Sequence, residues 1–146
     1  MTDLDWPEFR DGLARSIAAL PNGAALIVSD VERTACFVQF MLDRDRVIAE
    51  VASGLDQWDR PNLTEEETAA LEQIGWSPPE KNPVLNHGVT VAWPAPSSEY
   101  RRMADMSVAA LRDVFEIPSP ASLRYKAFAV SGGAAVPMPR LGIPAH

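Results

Sequence analysis

Residues 94–120 read PAPSSEYRRMADMSVAALRDVFEIPSP, a helix-sized segment bounded by prolines. Pro94 and Pro96 donate no ladder hydrogen bond, and Ser97 or Ser98 can cap the amides that follow, so a helix is predicted to begin there. Tyr100, Met103, Ser107, Ala110, Leu111 and Val114 fall on one face at steps of three and four, with Arg101, Arg102, Asp105, Arg112, Asp113 and Glu116 opposite. Ile117-Pro118 ends the helix, because a residue before proline is pushed out of helical geometry. Such a stripe must be buried, and its predicted partner is the core side of a sheet.

The neighbouring sequence supplies that sheet. Just before the helix, residues 88–93 alternate Val89, Val91 and Trp93 with Thr90 and Ala92; just after it, residues 123–130 alternate again. Near the start, Phe9, Leu13, Ile17 and Leu20 make a first amphipathic helix, capped by Asp5 and ended by Pro21-Asn22-Gly23. Residues 24–29, 34–42 and 46–52 are of strand length and composition, with a turn at Asp43-Arg44-Asp45, and predict an antiparallel meander. Residues 53–63 carry neither period and read as a loop. Thr64-Glu65-Glu66-Glu67 is a capping box opening a short helix through Leu71 and Ile74. Gly75 is placed to take positive φ at its end, turning Trp76 back onto Leu71 or Ile74. The order is α-β-β-β-α-β-α-β: an α+β fold, an antiparallel sheet flanked by helices. Residues 1–133 are expected to form one domain, and the Pro/Ala-rich residues 134–146 a tail.

A chain of 146 residues can bury roughly 68–70% of its unfolded surface, so no stapling is required. The single cysteine, Cys36, excludes an internal disulfide and a multi-cysteine zinc site. A net charge of −7, with no Lys/Arg cluster, repels phosphate backbones and argues against nucleic acid as a partner. Met1 is followed by no basic or apolar leader, and no run approaches the ~20 apolar residues of a membrane span. A cytoplasmic protein without membrane contact is expected, which makes the sequon Asn62-Leu63-Thr64 a chance match.

The second and third strands have unequal faces. Cys36, Val38, Phe40 and Leu42 form an apolar row to be matched by Val47, Ala49 and Val51, and this row belongs in the core. The opposite row, Phe37, Gln39 and Met41 beside Arg46, Ile48 and Glu50, is stickier than a solvated sheet needs. Either a helix or the tail covers that row, or Phe37, Gln39, Met41 and Ile48 meet a partner. Trp58, Trp76 and Trp93 fall in or beside loops and are candidate partner-binding anchors, against the plainer account that they close the rim of the core.

Catalytic signals are scarce. His87 and His146 are the two histidines; a triad would need a serine and an acid brought to His87, and no G-x-S-x-G stands in the chain, so His87 is expected to be solvated or loop-bonded. Cys36, in an apolar row, reads as a small inert hydrophobe. Glu65-Glu66-Glu67 lacks the spacing of a calcium loop, and Gly132-Gly133 is too short to cradle phosphate. No metal, cofactor or catalytic residue is predicted.

The pattern Leu71-x-x-Ile74-Gly75-Trp76-x-x-Pro79, then Asn86, Trp93, an aromatic-led helix and Pro120-x-x-Leu123-x-Tyr125-x-x-Phe128, resembles an actinobacterial group of proposed peptide-binding chaperones related to type III secretion chaperones and to YbjN, the TY-Chap group. That group usually carries Leu-Gly-Trp-x-x-Pro after a short acidic helix; here Ile74 replaces the leucine. The resemblance runs from the N-terminal helix to Phe128 and implies an α+β fold and the binding of a client protein or peptide without catalysis. Two readings stand beside it. One is a ligand-binding or enzymatic domain with a pocket between Trp58 and His87; the other is a homodimer burying Phe37, Met41 and Ile48 against their copies.

Overall fold

The computed structural model describes residues 4–53, 63–78 and 86–146. Asp5 caps helix α1, Trp6–Ala18, by accepting from the Glu8 N–H at 2.8 Å. Strands β1, Ala24–Asp30, β2, Phe37–Asp43, and β3, Arg46–Val51, follow as the expected meander. The β2–β3 turn is fixed at Arg44, whose φ is 60° and whose N–H donates to Asn22 Oδ1 at 2.8 Å. Helix α2, Glu65–Ile74, opens on the predicted capping box: Thr64 Oγ1 accepts from Glu67 N–H at 3.1 Å, and Glu67 Oε1 from Thr64 N–H at 3.0 Å. Strand β4, His87–Ala92, helix α3, Ser97–Ala109, and strand β5, Leu123–Ala129, complete the α+β order.

The sheet runs β4-β3-β2-β1-β5, with every neighbouring pair antiparallel. Strands β4 and β5 therefore sit at opposite edges, and the chain through α3 crosses the sheet between them. The expected stripe of α3 is buried, with Met103 and Leu111 fully so, in one cluster with Phe9, Leu13 and Ile17 of α1 and with Val38, Phe40, Val47, Ala49 and Val51 of the sheet. Arg101, Arg102, Asp105, Arg112, Asp113 and Glu116 are exposed.

Three expectations need correction. Neither Ser97 nor Ser98 caps α3: Pro96 holds the cap position without a side-chain bond, and both serines stand inside the first turn. The helix does not stay α-helical to its end but widens into a π-helical turn at Ala110–Val114, where Phe115 N–H donates to the Ala110 carbonyl at 2.9 Å, and the chain leaves through Glu116 at φ 59°. Residues 134–146 are not a loose tail. They lie against the free edge of β5, where Val136 N–H donates to Ala127 O at 2.9 Å and His146 N–H to Tyr125 O at 2.7 Å, with Met138, Leu141 and Ile143 buried. Unpaired groups on an edge strand and apolar side chains in reach explain why a Pro-rich segment settles there.

Candidate functional site

The sheet register sorts the residues of the second face into rows. Phe128 pairs with Ala25, Ala25 with Met41, Met41 with Ile48, and Ile48 with Thr90, so an apolar band spans four of the five strands and ends on the exposed Thr90. Beside it runs a polar row through Lys126, Ile27, Gln39, Glu50 and Gly88, then a third through Arg124, Ser29 and Phe37. On the band's other flank, Arg46 pairs with Asp43 at 3.4 Å. Phe37, Gln39, Met41 and Ile48 are half-buried, whereas the alternate residues of the same strands are buried under the helices. The face thus has an apolar centre with polar and charged residues around it. Met41 and Ile48 were foreseeable from the period of two; Ala25 and Phe128 were not, because which strand follows β1 is set by the crossover.

The tryptophans separate. Trp58 lies outside the described residues. Trp76 is a core residue rather than a rim anchor: it is 1% exposed, and its indole N–H donates to the Met106 carbonyl of α3 at 3.3 Å. It is delivered there by Gly75, at φ 132°, while its backbone N–H returns to the Leu71 carbonyl at 3.1 Å. Trp93 is half-buried at the entry to α3, its ring tilted 51° to Tyr100 with centroids 5.6 Å apart. Of the two expected anchors that are described, Trp76 thus serves the core and Trp93 the entry to α3.

A polar cluster unforeseen in the sequence ties β3 to β4. Of the two expectations for His87, the loop-bonded one is met and the solvated one is not: it is buried, with Nδ1 2.8 Å from Ser53 Oγ, just after β3, and Nε2 3.1 Å from Glu72 Oε2 of α2. These are the residue types of a catalytic triad, but the hydroxyl is engaged otherwise. Ser53 Oγ also accepts from the His87 backbone N–H at 2.7 Å, and Ser53 N–H donates to Asn86 Oδ1 at 3.0 Å. Asn86 Nδ2 and Gln39 Nε2 both donate to Glu50 Oε1 at 3.2 Å, so the network continues onto the second sheet face. A nucleophilic serine needs an Oγ that a substrate can reach; this one is buried and serves as a bracket between strands. Cys36 is also buried, and burial pushes its thiol up against the weaker pull of Arg33, the opposite of an activated nucleophile. Among the described residues no group of three or more His, Cys, Asp or Glu could hold a metal ion, and no helix is long and apolar enough to cross a membrane.

What the geometry defines is an α+β domain whose helices cover one face of an antiparallel sheet and, among the described residues, leave a banded second face. The chain belongs to the TY-Chap3 family, described as T3SS (YopN, CesT) and YbjN peptide-binding chaperone 3, whose model matches residues 1–129. Comparison with curated proteins and with solved structures returned no match.

Proposed function

We propose that the chain is a non-catalytic, YbjN-like chaperone or adaptor of the cytoplasm that holds a segment of a client protein on the second sheet face, with Phe37, Gln39, Met41 and Ile48 as contact residues. The observation that carries this is the Phe128–Ala25–Met41–Ile48 band flanked by polar rows. Membership in a family of peptide-binding chaperones supports the nature of the ligand. The engaged hydroxyl of Ser53 supports the absence of catalysis there. Trp93, half-buried at the β4 edge of the sheet, can contribute at the rim; Trp58 belongs to the same proposal by its sequence position alone.

The test is capture from the native host with mass-spectrometric identification of the bound protein, followed by titration of that client with parent and Met41→Lys/Ile48→Lys chains. Binding should weaken by about 1–3 kcal/mol, the scale of a few lost anchors. Unchanged affinity in a folded variant overturns the reading. Loss of self-association without loss of client would assign the face to a second copy of the chain instead.

A further inference from the structure

We infer that the free edge of β5 and the adjoining flank of α1 form a peptide groove, separate from the banded sheet face, which residues 134–146 occupy in cis and which fits an extended client segment in trans. The groove is seen with an occupant. After the turn at Gly132 and Gly133, Ala129 N–H donates to Ala134 O at 2.8 Å and Val136 N–H to Ala127 O at 2.9 Å. The segment then leaves the strand and returns, so that Tyr125 N–H donates to Pro144 O at 3.1 Å and the Tyr125 carbonyl oxygen accepts from His146 N–H at 2.7 Å. The outward backbone groups of Tyr125, Ala127 and Ala129 are thus met by an added strand in two short pieces, one antiparallel and one parallel.

Between those pieces three side chains anchor the segment. Met138, Leu141 and Ile143 are buried, at spacings of three and two, and Met138 N–H donates to the Tyr125 hydroxyl at 3.2 Å. The floor is shaped for backbone: a Cβ placed on Gly12 of α1 would stand 2.5 Å from the Arg140 carbonyl oxygen, so glycine is what lets the segment lie so close. The seat is also incompletely filled. A hollow of about 410 Å³ remains between Ser16, Ala19 and Pro21 on one side and the segment from Val136 to Arg140 on the other.

Met138, Leu141 and Ile143 join the core cluster, but two features set their segment apart as the occupant of a site. The family match ends at residue 129, the last residue of β5, so the segment lies outside the part of the chain the family defines. Its own pattern is a recognition pattern: Pro137, Pro139 and Pro144 favour an extended backbone, and the apolar anchors stand between them. The partner that fits is therefore an extended, proline-containing segment with apolar side chains at positions i, i+3 and i+5. The identity of that partner as a client rests on the peptide-binding reading above; the groove itself does not.

The test keeps the full chain and inserts a protease site between Gly132 and Gly133, which face open space. A short tether presents its ligand at an effective concentration on the order of mM, so cutting it should improve capture of a labelled peptide of residues 134–146 by up to about 1000-fold at µM protein. A Leu141→Ser peptide should bind at least about tenfold more weakly, a loss of about 1.4 kcal/mol or more. An unrelated proline-containing peptide with Met, Leu and Ile at the same spacing should compete, and its scrambled form should not. A cut protein that loses its cooperative melt, fails to exchange the labelled peptide, or ignores the pattern-matched competitor overturns the inference. Exchange that survives Met41→Lys/Ile48→Lys upholds the groove whatever becomes of the sheet face, so the two proposals fail separately.

Discussion

Strands β2 and β3 carry two proteins' worth of chemistry on alternate residues. Val38, Phe40, Val47, Ala49 and Val51 are fully buried and uniformly apolar; their neighbours Gln39, Met41, Ile48 and Glu50 are half-buried and mixed. The backbone treats both rows alike, so the difference lies in what faces them. One row meets α1 and α3, where a polar atom would lose its water without replacement. The other meets no described helix, and there a carboxylate such as Glu50 can stay, paired with Gln39 and Asn86, beside methionine and isoleucine. The proposed client-binding role rests on this mixture of large apolar groups and satisfied polar ones.

The sharpest way to break that contrast is to cut into the inner side. Phe40→Ala should cost about 3–5 kcal/mol and Leu111→Ala, on the helix that covers the sheet, about 2–5 kcal/mol in urea titration. A loss within about 0.5 kcal/mol, the size usual for surface positions, would mean that the helices do not seal this face.

Gly75→Val is the next largest effect. The added side chain would force positive φ on a β-branched residue, and its Cβ would stand 3.3 Å from Met106 Cε. Backbone strain of about 1–3 kcal/mol should appear as a lowered melting temperature, together with loosening of Trp76 visible in its fluorescence. A variant that melts with the parent would show that Trp76 does not depend on this turn.

Ser53→Ala probes the junction between the two faces. It leaves the buried His87 N–H without its acceptor and should cost about 1–3 kcal/mol. Client affinity should not change, which separates a structural bracket from a reactive serine. Loss of a chemical activity with unchanged stability would contradict the non-catalytic reading.

These sites also mark what was legible in the sequence. Period two sorted β2 and β3 into their rows, and steps of three and four sorted α3, because each pattern repeats within one element. The positions of β4 and β5 at opposite edges depend on which way α3 crosses the sheet, and no local pattern records that. Trp76 reads as a loop residue until α3 is packed over it and offers the Met106 carbonyl. Ser53, Glu72 and His87 meet across separations of 34 and 15 positions, with no common motif. Residues 134–146 read as a tail because Met138, Leu141 and Ile143 keep neither period; they follow the shape of a groove rather than that of an element.

The smallest expected change in stability is also the one that decides most about function. Met41→Lys/Ile48→Lys alters two half-buried residues paired directly across β2 and β3, and a lysine stem can lie along the sheet while its ammonium reaches water. Unfolding free energy should therefore move by no more than about 0.5 kcal/mol, as at other surface positions. The same two lysines put two positive charges into the centre of the apolar band, where a docked client would have to strip their water. Stability and binding should then part company, the urea midpoint holding while client affinity falls. If instead the variant unfolds, the band is sealed by the chain itself, and the contrast between the two faces is one of degree rather than of purpose.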